Sequence, residues 1–130
     1  MRRQTGFTLL EMLVVLVILG LATGLLLTRG VRPSPAVEAR AAAARVAAAL
    51  RGARGRAILT DAPVTVALDA AAHRLRIGGA PPLDLPPALT LSGSGIIRFA
   101  PDGSSSGGRI VLGGETVAVD WLTGRVGGGH

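Results

Sequence analysis

The chain has 130 residues, 48% of them hydrophobic but only 2% aromatic, so any core must be built from Leu, Val, Ile and Ala. That length holds one domain with an appended helix and excludes a multidomain enzyme. The absence of cysteine excludes a disulfide framework, a thiolate metal site and a cysteine nucleophile. Every basic residue is arginine, and the net charge of +6 points to nucleic acid or an anionic membrane as classes of partner.

In chain order, residues 1–6 form a short basic leader carrying Arg2 and Arg3. Phe7 to Leu27 then reads FTLLEMLVVLVILGLATGLLL, with one charge, Glu11, and no proline. As a helix its 21 residues reach about 32 Å, enough to cross a hydrocarbon core of about 30 Å. Residues 7–28 are therefore read as a transmembrane helix. Arg2 and Arg3 favour a cytoplasmic N-terminus, although Arg29 and Arg32 after the apolar run weaken that bias. The remainder is expected outside the cytoplasm.

Residues 29–35 (RGVRPSP) read as a linker or kink, because Pro33 and Pro35 push the residues before them toward extended geometry. A second, amphipathic helix is predicted over 36–60, with Ser34 as N-cap, Pro35 in the first turn and Glu38 complementing the dipole. Its apolar face is Ala39, Ala43, Val46, Leu50, Ala53 and Ala57, while Arg40, Arg45, Arg51 and Arg56 point elsewhere.

Residues 61–130 change to a period of two: Val64, Val66 and Leu68, then Leu75 and Ile77 after a hairpin turn at Asp69 to His73. Gly78 to Pro87 reads as a connection. Leu89 and Leu91, Ile97 and Phe99, Ile110 and Leu112, and Val117 and Val119 mark further short strands of an antiparallel sheet. Pro101 to Gly108 reads as a long hairpin loop joining the Ile97 and Ile110 strands. Trp121 reads as a core residue, Asp120 and Arg125 as a surface pair, and the glycines before His130 as a flexible tail.

The N-terminal run departs from an ordinary secretory signal: Glu11 lies inside the apolar stretch and no A-x-A site closes it. Gly6 to Glu11, G-F-T-L-L-E behind a basic leader, resembles the signal of type IV pilins and type II secretion pseudopilins. The resemblance implies cleavage between Gly6 and Phe7 by a prepilin peptidase, which is also the N-methyltransferase of the new Phe7 amine, and retention of the apolar helix for filament assembly. A carboxylate inside a bilayer is costly and needs a partner. Three placements stay open for Glu11: pairing with its own Phe7 amine four residues away, neutralising that of a neighbouring subunit, or reaching headgroup water.

Two further stretches, IRFAPDGSSSGGRIVL from Ile97 and VAVDWLTGRV from Val117, resemble the H-type minor pseudopilins of type II secretion, the GspH family, which shares a domain with FimT-like minor pilins. The resemblance implies an α+β, type IV pilin-like fold: a long N-terminal transmembrane helix followed by a small antiparallel two-sheet β domain. It also implies a structural subunit near the tip of the periplasmic pseudopilus that supports protein export across the outer membrane. Its partners would be the I, J and K minor pseudopilins and the major pseudopilin, and its location the inner membrane, single-pass, with the C-terminal domain in the periplasm. The alternative is a FimT-like pilin that binds DNA during transformation; scattered arginines without an aromatic stacking set argue against nucleic acid as partner.

No cofactor, metal site or enzyme activity is expected. Asp102 and Asp120 are read as turn residues rather than calcium ligands, since no spaced ligand loop surrounds them. Ser104, His73 and Asp102 supply the residue types of a hydrolytic triad, but nothing in their context orients them. The glycine-rich loop lacks the following Lys and helix of a phosphate cradle.

Overall fold

The computed structural model describes residues 6, 8–30 and 32–129, which fall into two units, one ending at Arg32 and one beginning at Pro33. The first holds helix α1 (Leu9–Thr28). Thr8 stands in extended geometry at φ −77° and ψ 151°, and its hydroxyl accepts the Glu11 N–H at 3.2 Å, which caps the helix. The helix closes where Arg29 N–H bonds the Leu25 carbonyl.

Helix α2 (Pro35–Thr60) opens the second unit. Ser34 Oγ accepts the Val37 N–H at 3.4 Å, Pro35 fills the first position where no N–H is needed, and Glu38 lies in the first turn. The C-terminus is closed by Asp61 in the left-handed conformation at φ 50°. Alanines give the helix its propensity. Ala39, Ala42, Val46, Ala47, Leu50, Ala53 and Ala57 are its buried residues, and their small side chains let two sheets lie close against it.

Among the described residues eight short strands follow, all paired antiparallel. Sheet A has the order β3-β2-β1-β5, from β1 (Val64–Asp69), β2 (Arg74–Ile77), β3 (Leu83–Asp84) and β5 (Ile96–Phe99). Sheet B has the order β4-β6-β7-β8, from β4 (Leu91–Gly93), β6 (Gly108–Leu112), β7 (Glu115–Val119) and β8 (Val126–Gly129). The α+β, pilin-like class read from the sequence holds. Alternation places Val64 opposite Phe99 and Val66 opposite Ile97 in sheet A, and Ile110 opposite Val117 in sheet B. These residues, with Leu50, Leu75 and Leu112, form one core between α2 and the sheets. Each large side chain so buried stabilises the fold by about 1.5–3 kcal/mol relative to its exposure.

Five local expectations fail here. The Pro101–Gly108 segment does not close a hairpin, because β5 belongs to sheet A and β6 to sheet B. Gly103 N–H does bond the Ala100 carbonyl, and Ser106 N–H returns to Arg98 O at 2.9 Å, so the turn forms against β5. The chain then leaves for the other sheet through Gly107 (φ +71°) and Gly108, where a Cβ would stand 2.8 Å from Ile97 Cγ1. Turn chemistry is local, whereas sheet membership depends on remote partners.

Trp121 is not in the core: 66% of it is exposed, beside Leu122 at 63%. Strand β7 ends at Val119, and the Asp120 carboxylate folds the next residues into a turn, so strand parity no longer applies to Trp121. Asp120 and Arg125 meet through the backbone, Asp120 N–H to Arg125 O at 2.9 Å, and form no ion pair among the described residues. The glycine tail is strand β8, held in register by β7, with Ala118 opposite Gly127 and Thr116 opposite Gly129. Gly78 to Pro87 also contains a strand, β3, which pairs Leu83 with Leu75.

Candidate processing and assembly segment

Gly6 is exposed, and a Cβ placed there would touch nothing within 4 Å. Phe7, with Arg2 and Arg3, lies outside the described residues. Beyond it, Thr8 sets the start of α1 and places Glu11 in the first turn, where a carboxylate is favoured by the helix dipole. Glu11 is exposed, and among the described residues no hydrogen bond or ion pair engages its carboxylate. Sequence reasoning singled out Glu11 but not the Thr8 cap, which the T-x-x-E spacing signals.

The rest of α1 is apolar on every side and buries nothing: Leu9 is 92% exposed and Leu27 78%. A helix of 20 residues spans about 30 Å. Water is a poor solvent for such a surface, and hydrocarbon of that thickness is a good one, so the helix suits a membrane-anchored protein. Thr23 and Thr28 turn their hydroxyls onto the Leu19 and Leu25 carbonyls at 2.7 and 2.9 Å, which hides their polarity inside the helix.

In the β domain the acids serve turns. Ser104 donates its hydroxyl (2.6 Å) and its N–H (2.9 Å) to Asp102 Oδ1, and these bonds, the hydroxyl first, hold the Asp102 carboxyl below the usual carboxylate range. Asp120 Oδ1 accepts from Thr123 N–H at 2.8 Å, Thr123 Oγ1 at 2.9 Å and Leu122 N–H at 3.0 Å. Its carboxyl is lowered chiefly by the Thr123 N–H, with the Arg125 charge a smaller contribution. Among the described residues no group of three or more His, Asp or Glu is placed to hold a metal ion.

The triad residue types are not brought together. Asp102 and Ser104 follow β5 at the Val64 end of β1, because Phe99 pairs with Val64. His73 lies in the β1–β2 turn at the Asp69 end, with φ +47° and Nδ1 buried without a hydrogen-bond partner. The six-residue strand β1, about 20 Å long, separates them. A shallow depression of about 940 Å³, bordered by Gly107, Asp120, Trp121, Arg125 and Gly127, lies beside the exposed tryptophan. The reading of the sequence missed Arg54, whose Nε donates to the Gly103 carbonyl at 2.9 Å and ties α2 to the crossover loop.

Comparison with known proteins agrees with this layout. The family described as the prokaryotic N-terminal methylation motif matches residues 1–27. Type II secretion system protein H of Xanthomonas campestris pv. campestris is 36% identical over 143 aligned residues, covering 96% of this chain and 83% of that protein. Type II secretion system protein H of Escherichia coli K12 is 40% identical over 83 residues, 63% of this chain and 49% of that protein. No solved structure gives a significant match.

Proposed function

The chain belongs to the type II secretion system protein H family, and we propose that it is the minor pseudopilin placed near the tip of a periplasmic pseudopilus, supporting export of folded proteins across the outer membrane. A pseudopilin role follows from the family, and the N-terminal motif is a prepilin-processing signal. The finer reading is that a prepilin peptidase cuts between Gly6 and Phe7 and methylates the Phe7 amine. Helix α1 then stays in the inner membrane, the unit from Pro33 onward stands in the periplasm, and Glu11 meets a Phe7 amine during assembly with the I, J and K minor pseudopilins and the major pseudopilin.

One observation carries this reading: a capped helix, apolar on all sides, with its single carboxylate in the first turn behind Gly6. A carboxylate there costs a few kcal/mol in a bilayer, and a cationic partner such as the Phe7 amine offsets that cost. The DNA-binding alternative has weaker support. Arg40, Arg74 and Arg76 pair with Glu115, Asp84 and Asp69, while Arg54 and Arg56 bind the Gly103 and Gly78 carbonyls.

Intact mass and N-terminal peptide analysis of the membrane-extracted protein test the proposal. A Phe7 N-terminus carrying one methyl group is the expected result. Retention of Arg2 and Arg3 in cells with an active peptidase, or a cut after the apolar run, overturns it.

A further inference from the structure

The depression beside Trp121 lies on the outer face of sheet B, away from α2. Val117 and Val119 of β7 are buried, whereas Ala118 between them is exposed and stands in register with Gly127 of β8, so both line this outer side. A Cβ on Gly127 would meet nothing within 4 Å, which leaves the floor bare. Gly107, at φ +71°, lets the crossover loop pass close beneath Trp121, since a Cβ there would stand 3.0 Å from Trp121 Cβ. Trp121 lines the depression and is 66% exposed. Asp120 and Arg125 line it too. The turn uses only one oxygen of Asp120: three donors from Leu122 and Thr123 converge on Oδ1, and among the described residues none reaches Oδ2. The Arg125 guanidinium makes no hydrogen bond or ion pair among the described residues, although its charge is felt at Asp120.

We infer that this depression binds a neutral glycan, with one gluco-configured pyranose ring stacked on the Trp121 indole and its hydroxyls held between Asp120 and Arg125. A carboxylate and a guanidinium that share a site without pairing select against charged ligands of either sign: a phosphate or sulfate meets the Asp120 charge, an amine the Arg125 charge. A hydroxyl suits both, because it donates to a carboxylate oxygen and accepts from a guanidinium N–H. A purely apolar ligand would strip water from both charges and return no hydrogen bond. The indole supplies the rest of the contact. Its face carries negative charge density, and the axial C–H groups of a gluco-configured ring form a flat, weakly positive face that covers it. The depression, about 940 Å³, lies within the roughly 300–1,000 Å³ of small-molecule sites and has room for more than one sugar unit over the glycine floor. The inference does not depend on the assembly role proposed above.

The test uses the full chain in micelles of lauryldimethylamine oxide, a detergent without sugar, and follows Trp121 emission while cellotetraose or chitotetraose is added. A saturable blue shift with loss of acrylamide quenching is expected for at least one of the two, with a dissociation constant on the order of 1 mM or below. Saturation-transfer NMR of the sugar protons then reads the variants. Trp121→Ala should abolish the transfer, and Arg125→Met should weaken binding about tenfold. Arg98→Met, on the other sheet, should leave it unchanged. Gly127→Val suits a strand and fills the floor without altering charge, so it should also abolish binding while the circular dichroism stays that of the parent. No saturable shift with either sugar, or full binding by Trp121→Ala or Gly127→Val, overturns the inference. So does tighter binding, at physiological salt, of a heparin tetrasaccharide or a short oligo(dT), which would make the depression an anion site. Cleavage at Gly6–Phe7 is read separately, so failure here leaves the processing result standing.

Discussion

Arg54 Nε donates a 2.9 Å hydrogen bond to the carbonyl oxygen of Gly103, a contact between residues 49 apart that pins the crossover loop to α2. Gly103 is buried, so removing the guanidinium leaves its carbonyl without that donor. Arg54→Ala should destabilise the protein by about 1–3 kcal/mol. Arg54→Lys should recover only part, because an ammonium does not reproduce the directed Nε–H. Urea unfolding midpoints measure both, and an unchanged midpoint in Arg54→Ala would refute the role.

Gly124 closes against the same contact. Its φ is +63°, and a Cβ there would collide with the Gly103 carbonyl oxygen and stand 3.0 Å from Arg54 Nε. Gly114, at φ +96°, has open space where a Cβ would go. Gly114→Ala should therefore cost only the conformational penalty, about 1–2 kcal/mol. Gly124→Ala should cost clearly more, and equal losses in the same denaturation series would count against the packed turn.

Phe99 and Trp121 should behave as opposites. Phe99 is fully buried, and Phe99→Ala should cost about 3–5 kcal/mol. Trp121→Ala should stay within about 0.5 kcal/mol. As the sole tryptophan, Trp121 also reports its own setting: its emission should be red-shifted and quenched efficiently by acrylamide in the folded protein. A blue, protected emission from the monomer would contradict the exposed turn.

Acid should weaken the two turns. The folded-state carboxyls of Asp102 and Asp120 lie below their ordinary values. Their contribution to stability is therefore fully present above the unfolded carboxylate pKa of about 3.9 and fades as pH falls through the lower folded values. Replacing both by Asn should flatten the pH dependence of stability below about pH 4. Thermal unfolding followed from pH 6 to pH 2 tests it, and an unaltered slope would show that other groups dominate.

Glu11→Leu separates tolerance from function. The substitution removes the bilayer cost of a charge, at most about 2.5–3.5 kcal/mol even at a helix centre, so membrane insertion should remain intact. If Glu11 meets the Phe7 amine of a neighbour, losing it leaves a charge unpaired in a low-dielectric bundle and assembly should fall sharply. Crosslinking to neighbouring pseudopilins, with membrane fractionation as control, reads the two effects apart. Normal crosslinking and normal secretion would remove the intersubunit role.

What the sequence made legible is whatever short-range chemistry decides. The Ser34 cap, Pro35, the Val46 and Leu50 face of α2 and the alternation in β1 and β5 follow from local spacing, whereas Gly6 to Glu11 stands out through its resemblance to the prepilin signal. Four other features depend on contacts that no local pattern encodes. Sheet assignment of β5 and β6 is set by β1 and β7. Strand β8, almost all glycine, takes its conformation from β7 rather than from propensity. Trp121 left the core because the Asp120 carboxylate ended the strand one residue earlier. Arg54 looked like any solvated helix arginine, since its acceptor is a backbone carbonyl far along the chain.

The order of strands has a kinetic consequence. Moving along the chain, β1 to β3 enter one sheet, β4 the other, β5 the first again, and β6 to β8 the second. When β4 leaves the ribosome its partner β6 has not been made, and β5 must return past it to find β1. Neither sheet can be cut out with a single break and still hold all its strands, so unfolding should be one cooperative transition without a half-folded intermediate. Such remote closures also place refolding toward the slow, millisecond-to-second range rather than the microseconds of a helical bundle.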